Sequence, residues 1–252
     1  MMSVKVKAVL TVAVTALAFS FSAAAPAAEQ TLRVGTEPTF APFEFVDEKT
    51  NITGYDIDII NAIGEAEKVK FEIVSMPFDG LIPALLTGQL DVIIAGMTIT
   101  PERKKRVAFS EPYYDSGLSA VILTENVTKY RKIANLSHSR ICAQIGNTGS
   151  VYAQKLSGDV VNFNTHPEAY MELKAKGCEA VITDRPVNQY FLTQTKDDIF
   201  IEIRDVVEAA QFGIATAKDN EKTLELLNHG LQKIRKNGTF AKIHQKWFGT
   251  EE

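Results

Sequence analysis

Cysteine is scarce in this sequence. Of 252 residues only two are cysteine, Cys142 and Cys178, and they form no C-x-x-C pair. A structural zinc site needs about four ligands, so this supply does not build one. The four histidines, His138, His166, His229 and His244, lack metal-ligand spacing, and each is expected at the surface. Basic residues are not in excess: 27 Lys and Arg face 31 Asp and Glu, for a formal net charge of −4. With no basic tail or basic domain, the electrostatic footprint of a nucleic-acid partner is missing. Ser-x-x-Lys and Gly-x-Ser-x-Gly are absent, so no nucleophile motif stands out. Beyond the N-terminus no stretch approaches the roughly 20 apolar residues of a membrane span. What is present, 45% hydrophobic and 23% charged residues, is ordinary for a folded chain and excludes a disordered or collagen-like one.

The N-terminus reads as a processed leader. Lys5 and Lys7 precede an apolar stretch from Ala8 to Phe21, and Ala25-Pro26-Ala27 fits the A-x-A cleavage pattern. Removing residues 1–27 takes away two lysines and no acids, leaving −4 − 2 = −6. The expectation is an exported, soluble chain in the periplasm. In an oxidising compartment Cys142 and Cys178, each beside a strand-like run, are a candidate disulfide, with two buried free thiols as the alternative.

From residue 32 onward strands and helices alternate. Leu32 to Gly35, Phe71 to Val74 and Asp91 to Ala95 read as strands. Asp56 to Ala66 carries a helical apolar stripe, and Asp79 is placed to cap a helix running to Gly88. Thr100-Pro101-Glu102 has the cap, proline and acid of a helix start. Thr36 to Phe45 reads as loop. After a strand from Leu118 to Leu123 and a polar connection to Ser139, the alternation begins again. Strands at Ile141 to Ile145, Val160 to Phe163 and Ala180 to Thr183 are separated by helices. Strands at Ile199 to Ile203 and Gln211 to Ala215 follow, then a helical tail interrupted near Asn237-Gly238. This pattern is α/β, two lobes with mostly parallel sheets, and places a ligand where strand C-termini face each other.

Several residues sit at such ends. The junction from Gly96 to Arg103 can hold an anion on backbone N–H groups. Arg103, a cation misplaced in a first helical turn, would grip a carboxylate, or else belongs to the solvated basic run to Arg106. Gly146-Asn147-Thr148-Gly149-Ser150 is neither a Walker loop nor a dinucleotide fingerprint, yet offers N–H groups. Asp184 could hold an ammonium group or cap a helix, and Glu37 follows the first strand in the same way. Phe40, Phe43, Phe45 and Phe78 are loop or loop-edge aromatics, with Phe43 and Phe45 assigned to the core.

Assembled in order, these segments resemble the polar amino-acid-binding proteins of bacterial ABC importers (solute-binding protein family 3). The carriers are Val34 to Glu37 with Pro42 to Phe45, Gly54 to Asp58, Phe78 to Leu85 and Ala95 to Arg103. Phe109-Ser110, Tyr113-Tyr114, Gly149-Ser150, Asn237 to Phe240 and Lys246 to Gly249 complete them. Ala169 to Leu173, Glu208-Ala209 and Gln211 to Ala215 look closest to glutamine-binding members.

The resemblance implies a type II periplasmic-binding-protein fold without enzyme activity or cofactor. The expected parts are a leader over 1–27, lobe 1 over 28–112 and 213–252, and lobe 2 over 119–207. A hinge over 113–118 and 208–212 would join them. The implied partners are an L-amino acid and a transmembrane permease, and the implied state is a monomer. Arg103 with the Thr98 and Gly149 N–H groups would hold the ligand carboxylate, in the junction that includes Thr148. Asp184, the Thr98 hydroxyl and the Gly96 carbonyl would hold the ammonium. Phe40 and Phe78 would sandwich the side chain, and Glu37 would meet its far end. Glutamine binders have aspartate at Glu37, lysine at Ile145 and histidine at Thr183. Glutamine is the expected ligand; without that lysine, Glu37 suits a proton-donating ligand, so arginine, lysine or ornithine is the alternative. A dehydratase on the same scaffold is the rival from another class.

Overall fold

The computed structural model describes residues 31–249; the expected leader, 1–27, lies outside them. The chain begins with β1 (Thr31–Thr36), then β2 (Thr39–Phe40), β3 (Glu44–Val46) and β4 (Ile52–Thr53). Next come α1 (Tyr55–Glu67), β5 (Lys70–Ser75), α2 (Phe78–Leu86), β6 (Val92–Ile93), α3 (Pro101–Lys104) and β7 (Val107–Phe109). β8 (Tyr114–Leu123) leads into β9 (Ile141–Gln144), α4 (Thr148–Leu156), β10 (Val160–Phe163), α5 (His166–Lys174), β11 (Ala180–Asp184), α6 (Arg185–Thr195) and β12 (Phe200–Phe212). The chain returns through β13 (Ala215–Ala217) and ends in α7 (Glu221–Lys236) and α8 (Thr239–Phe248).

Two five-stranded sheets organise two lobes, with strand orders β5-β1-β6-β13-β7 and β10-β9-β11-β8-β12. In each, four strands run in one direction and one runs against them: β13 opposes β6 and β7, and β8 opposes β11 and β12. The inner parallel strands β6, β9 and β11 are buried on both faces, as βαβ packing requires. In α1 the stripe Ile57, Ile59, Ile60 and Ile63 is buried, the last three against the first sheet and α7. The Thr100 hydroxyl accepts the Arg103 N–H at 3.1 Å and Pro101 opens α3, which supplies the cap inferred from the sequence.

The chain passes between the sheets twice, at the start of β8 and the end of β12. There the two strands lie antiparallel, with Tyr114 opposite Phe212, Asp115 opposite Gln211 and Ser116 opposite Ala210. Cys142 in β9 and Cys178 before β11 form a disulfide, with Cα atoms 6.0 Å apart.

Four local expectations need correction. Thr36 to Phe45 is not loop: β2, β3 and β4 form a three-stranded antiparallel sheet there. Asp79 does not cap α2, which already starts at Phe78, so Asp79 sits in the first turn. The expected strands Ile199 to Ile203 and Gln211 to Ala215 are instead β12 and β13, divided after Phe212. The charges at Arg204, Asp205 and Glu208 broke the apolar pattern, but β8 pairs through them with register shifts. His166 is buried, at 1% exposure, not at the surface; His138 and His229 are exposed, and His244 packs among aromatic rings.

Candidate functional site

The site is assembled where parallel strands of both lobes end. β1 delivers Glu37, and β6 leads into Gly96, Met97 and Thr98. From the second sheet, β9 ends at Gln144 and runs through Gly146 into α4, while β11 ends at Asp184. Parallel strands present their C-termini at one edge, so residues distant in sequence converge.

Gly96 has φ 49°, in the left-handed region, and a Cβ there would lie 2.3 Å from the Phe40 ring. Only glycine lets the backbone turn this close to the aromatic wall. Phe40 and Phe78 are both buried, at 3% and 7% exposure. Thr98 forms an isolated bridge to Phe212, with flanking bonds Ile99 N–H to Gln211 C=O and Gly213 N–H to Met97 C=O. In that pattern the Thr98 N–H and C=O point away from the bridge.

Arg103 is half-buried and spans the two lobes. Its Nη1 donates to the Thr98 carbonyl at 2.8 Å and its Nη2 to the Gly146 carbonyl at 3.0 Å. The guanidinium carbon lies 5.2 Å from the Phe78 ring centroid, a cation–π distance. Burial lowers its pKa to about 10, with Asp184 opposing that shift. Arg103 therefore stays charged at neutral pH and does not belong to a merely solvated run.

Asp184 is almost fully buried, at 1% exposure. The Ser116 hydroxyl donates to Oδ1 at 2.8 Å, while Oδ2 has no hydrogen-bond partner among the described residues. Burial pushes its carboxyl up to about 7; Ser116 and Arg103 work against this. Although Asp184 holds the cap position of α6, its side chain makes no capping bond. The capping reading left open by the sequence is therefore not realised by the side chain.

Glu37, 4% exposed, accepts the Thr39 hydroxyl at 2.6 Å and the Gln144 amide at 3.0 Å. Burial raises its pKa against those two donors. Gln144 also donates to the Asn164 carbonyl at 2.9 Å. Ile145, the position compared with a lysine, is 38% exposed and faces away. Gln144 thus stands opposite Glu37, a residue the sequence reading missed by one position. Side chains alternate along β9, so a one-residue shift reverses the face.

The second junction differs from expectation in one bond. The Gly149 N–H is taken by the Asn147 side chain, at 2.7 Å, as the cap of α4. Gly149 fits close to β11: a Cβ would lie 2.3 Å from the Ile182 carbonyl oxygen. The Thr148 hydroxyl faces the Thr98 hydroxyl at 3.5 Å across the cleft. His166 was missed as well. Its ring lies 4.9 Å from Phe40 and its Nε2 is 2.8 Å from the Thr183 hydroxyl. Burial lowers its pKa to about 3, so the imidazole is neutral. The arrangement joins one cation, Arg103, with two carboxyls, Glu37 and Asp184, between aromatic walls. That constellation can clamp a small zwitterion carrying a further hydrogen-bond donor or positive charge.

Known proteins agree with this architecture. Bacterial extracellular solute-binding proteins, family 3, match residues 32–250. The ABC transporter arginine-binding protein 1 of Escherichia coli is 34% identical, covering 92% of this chain and 96% of its own. A "Probable histidine-binding protein" of Neisseria gonorrhoeae is also 34% identical, covering 91% of this chain and 88% of its own. An ancestral arginine-binding protein, solved with arginine and with glutamine, superposes with TM-score 0.84 at 40% identity, over 88% of this chain and 99% of its own. The chain belongs to the bacterial extracellular solute-binding proteins, family 3.

Proposed function

We propose that this protein is an exported receptor that captures a basic L-amino acid, arginine foremost, and hands it to the permease of an ABC importer. The observation that carries the reading is Glu37: a buried carboxyl whose hydrogen bonds come from the neutral donors Thr39 and Gln144. A cationic side chain would supply its counter-charge. Arg103 with the Thr98 N–H would take the ligand carboxylate. Asp184, the Gly96 carbonyl and the Thr98 and Thr148 hydroxyls would surround the ammonium, and Phe40 and Phe78 the aliphatic stem. Gly149 would shape the junction through its close approach to β11, since its N–H is committed to Asn147. Relatives named for arginine and histidine support this reading over the glutamine preference drawn from the sequence.

Glutamine is the second reading. Its amide could donate to Glu37 as the Gln144 amide does, and the ancestral relative has been solved with glutamine bound. An enzyme acting on a dicarboxylate is disfavoured, because Glu37 and Asp184 would repel one. In this reading residues 28–112 with 213–252 form one lobe, 119–207 the other, and 113–118 with 208–212 the hinge, after loss of a leader over 1–27.

Thermal-shift screening of the twenty amino acids plus ornithine tests the assignment. At 100 times its dissociation constant a ligand adds about 2.7 kcal/mol of stability. Stabilisation by arginine, lysine or ornithine is expected, with none by glutamate or aspartate. Stabilisation by glutamine alone would transfer the reading to the second ligand. Turnover of prephenate or arogenate would transfer it to the enzyme class.

A further inference from the structure

Behind the Gly96 turn lies a second pair of acids that the ligand clamp does not use. Glu44 in β3 and Asp56 in the first turn of α1 are both fully buried, at 0% exposure. Asp56 Oδ2 accepts the Gly96 N–H at 2.7 Å and the Tyr113 hydroxyl at 2.8 Å. Its other oxygen, Oδ1, has no hydrogen-bond donor among the described residues, and the Glu44 carboxyl is its neighbour, since the Asp56 N–H donates to the Phe43 carbonyl at 2.9 Å. Neither Glu44 oxygen has a hydrogen-bond partner among the described residues either. The remaining titratable groups acting on the pair are Tyr55, Glu37 and Asp184, and none is a cation.

Two carboxylates cannot hydrogen-bond to each other without a proton, and two adjacent buried negative charges are strongly disfavoured. Which acid carries the proton follows from their surroundings. Asp56 sits at a helix N-terminus and accepts two further donors, all of which favour its ionised form. Glu44 has only Asp56. We propose that Glu44 is a protonated carboxylic acid at neutral pH and donates to Asp56, and that this pair is a positioning device that holds the Gly96 turn in place for the ligand. Asp56 also ties that turn to Tyr113, the residue just before β8 leaves the first lobe. The direction of the acid shifts agrees: burial and Asp56 hold Glu44 well above the ordinary carboxylate range. Without the proton, Asp56 would have to share its buried charge with a second one. The pair would then part and release the Gly96 peptide.

The test compares wild type with Glu44→Gln and Glu44→Leu. Infrared difference spectra near pH 8 should show a protonated-carboxyl C=O stretch in wild type that Glu44→Gln lacks. No such difference would overturn the proposal. Glutamine keeps a donor toward Asp56, so its arginine affinity should stay within about twofold of wild type, whereas leucine leaves Asp56 a buried acceptor without that donor and should weaken binding about tenfold or more. Equal losses in both folded variants would also overturn it. If Glu44→Leu does not fold, the spectrum and the Glu44→Gln affinity decide. The affinity arm rests on the proposed ligand class and the infrared arm does not. Arginine failing to bind wild type would therefore sink the ligand reading and leave the proton to be decided by the spectrum.

Discussion

Gln144 Nε2 donates to Glu37 Oε2 at 3.0 Å, joining two lobes through residues 107 positions apart. This bond places an uncharged donor against a buried acid, one that would meet the side-chain end of the proposed ligand. In the proposed function Glu37 would discriminate among ligands and Gln144 would tune it. Glu37→Gln should therefore reorder ligands without removing binding. Arginine affinity should fall by a few kcal/mol, because a buried ion pair loses one member. Glutamine affinity should change by only about 1 kcal/mol, since an acceptor remains. Calorimetry with both ligands on both proteins measures this; if neither affinity moves, Glu37 does not contact the ligand.

Arg103 reaches the Thr98 and Gly146 carbonyls, one from each lobe. Arg103→Ala should nearly abolish binding of every amino acid, at a cost of about 2–5 kcal/mol for a desolvated charge pair that loses a partner. Arg106 is exposed in the same basic run, and Arg106→Ala is the control expected to bind as wild type. A loss below about fivefold for Arg103→Ala, well under that range, would remove the carboxylate role.

Asp184 gives a pH signature. Its folded pKa, about 7, lies above the roughly 3.9 of an unfolded aspartate. Between those values the folded form holds a proton that the unfolded form has lost. The contribution of Asp184 to stability therefore declines as pH rises from about 4 to about 7, and is level above that. A bound ammonium favours the ionised form. Binding near pH 6 should thus release protons, and binding near pH 8.5 should release almost none from this group. Calorimetry in buffers of different ionisation heats counts them. Asp184→Asn should lose the release along with much of the affinity; release unchanged in that variant would assign the protons elsewhere.

The two crossings carry the closure prediction. β12 breaks register with β8 between Ile203 and Val207 and again before Ala210, and Glu208 sits at φ 52°, unusual for a side chain with a Cβ. Such irregular backbone beside a two-strand connection is where rotation of one lobe against the other would be absorbed. Solution scattering should show a smaller radius of gyration with saturating arginine than without. Identical curves would mean that the empty protein is already closed or that it does not close.

The disulfide links β9, which ends at Gln144, to the turn before β11, which ends at Asp184. Replacing both Cys142 and Cys178 with serine should lower unfolding stability by about 3–4 kcal/mol, the loop-closure value for 36 residues. Denaturant unfolding of the variant and of oxidised wild type measures the difference. No change in midpoint would mean that the bridge does not hold the second lobe together.

Local chemistry was legible along the chain. Thr100 and Pro101 determine where α3 begins, because a cap and a fixed φ act within one turn. Val160–Phe163 and the α7–α8 break at Asn237-Gly238 follow from apolar runs and a glycine that adopts positive φ. The motif order carried the family and with it Arg103 and Asp184 as inward-facing groups. Other features depended on partners far away in sequence. β12 runs through charged positions because β8 supplies its ladder, which no local pattern records. His166 looked like a surface histidine until α5 placed it between Phe40 and Thr183. Gln144 and Ile145 are adjacent, and only the pairing of β9 with β10 and β11 decides which one faces Glu37. The Glu44–Asp56 pair is of the same kind. Nothing in the sequence near either acid points to the other, and burial side by side, fixed by how β3 packs on α1, is what gives one of them a proton to keep.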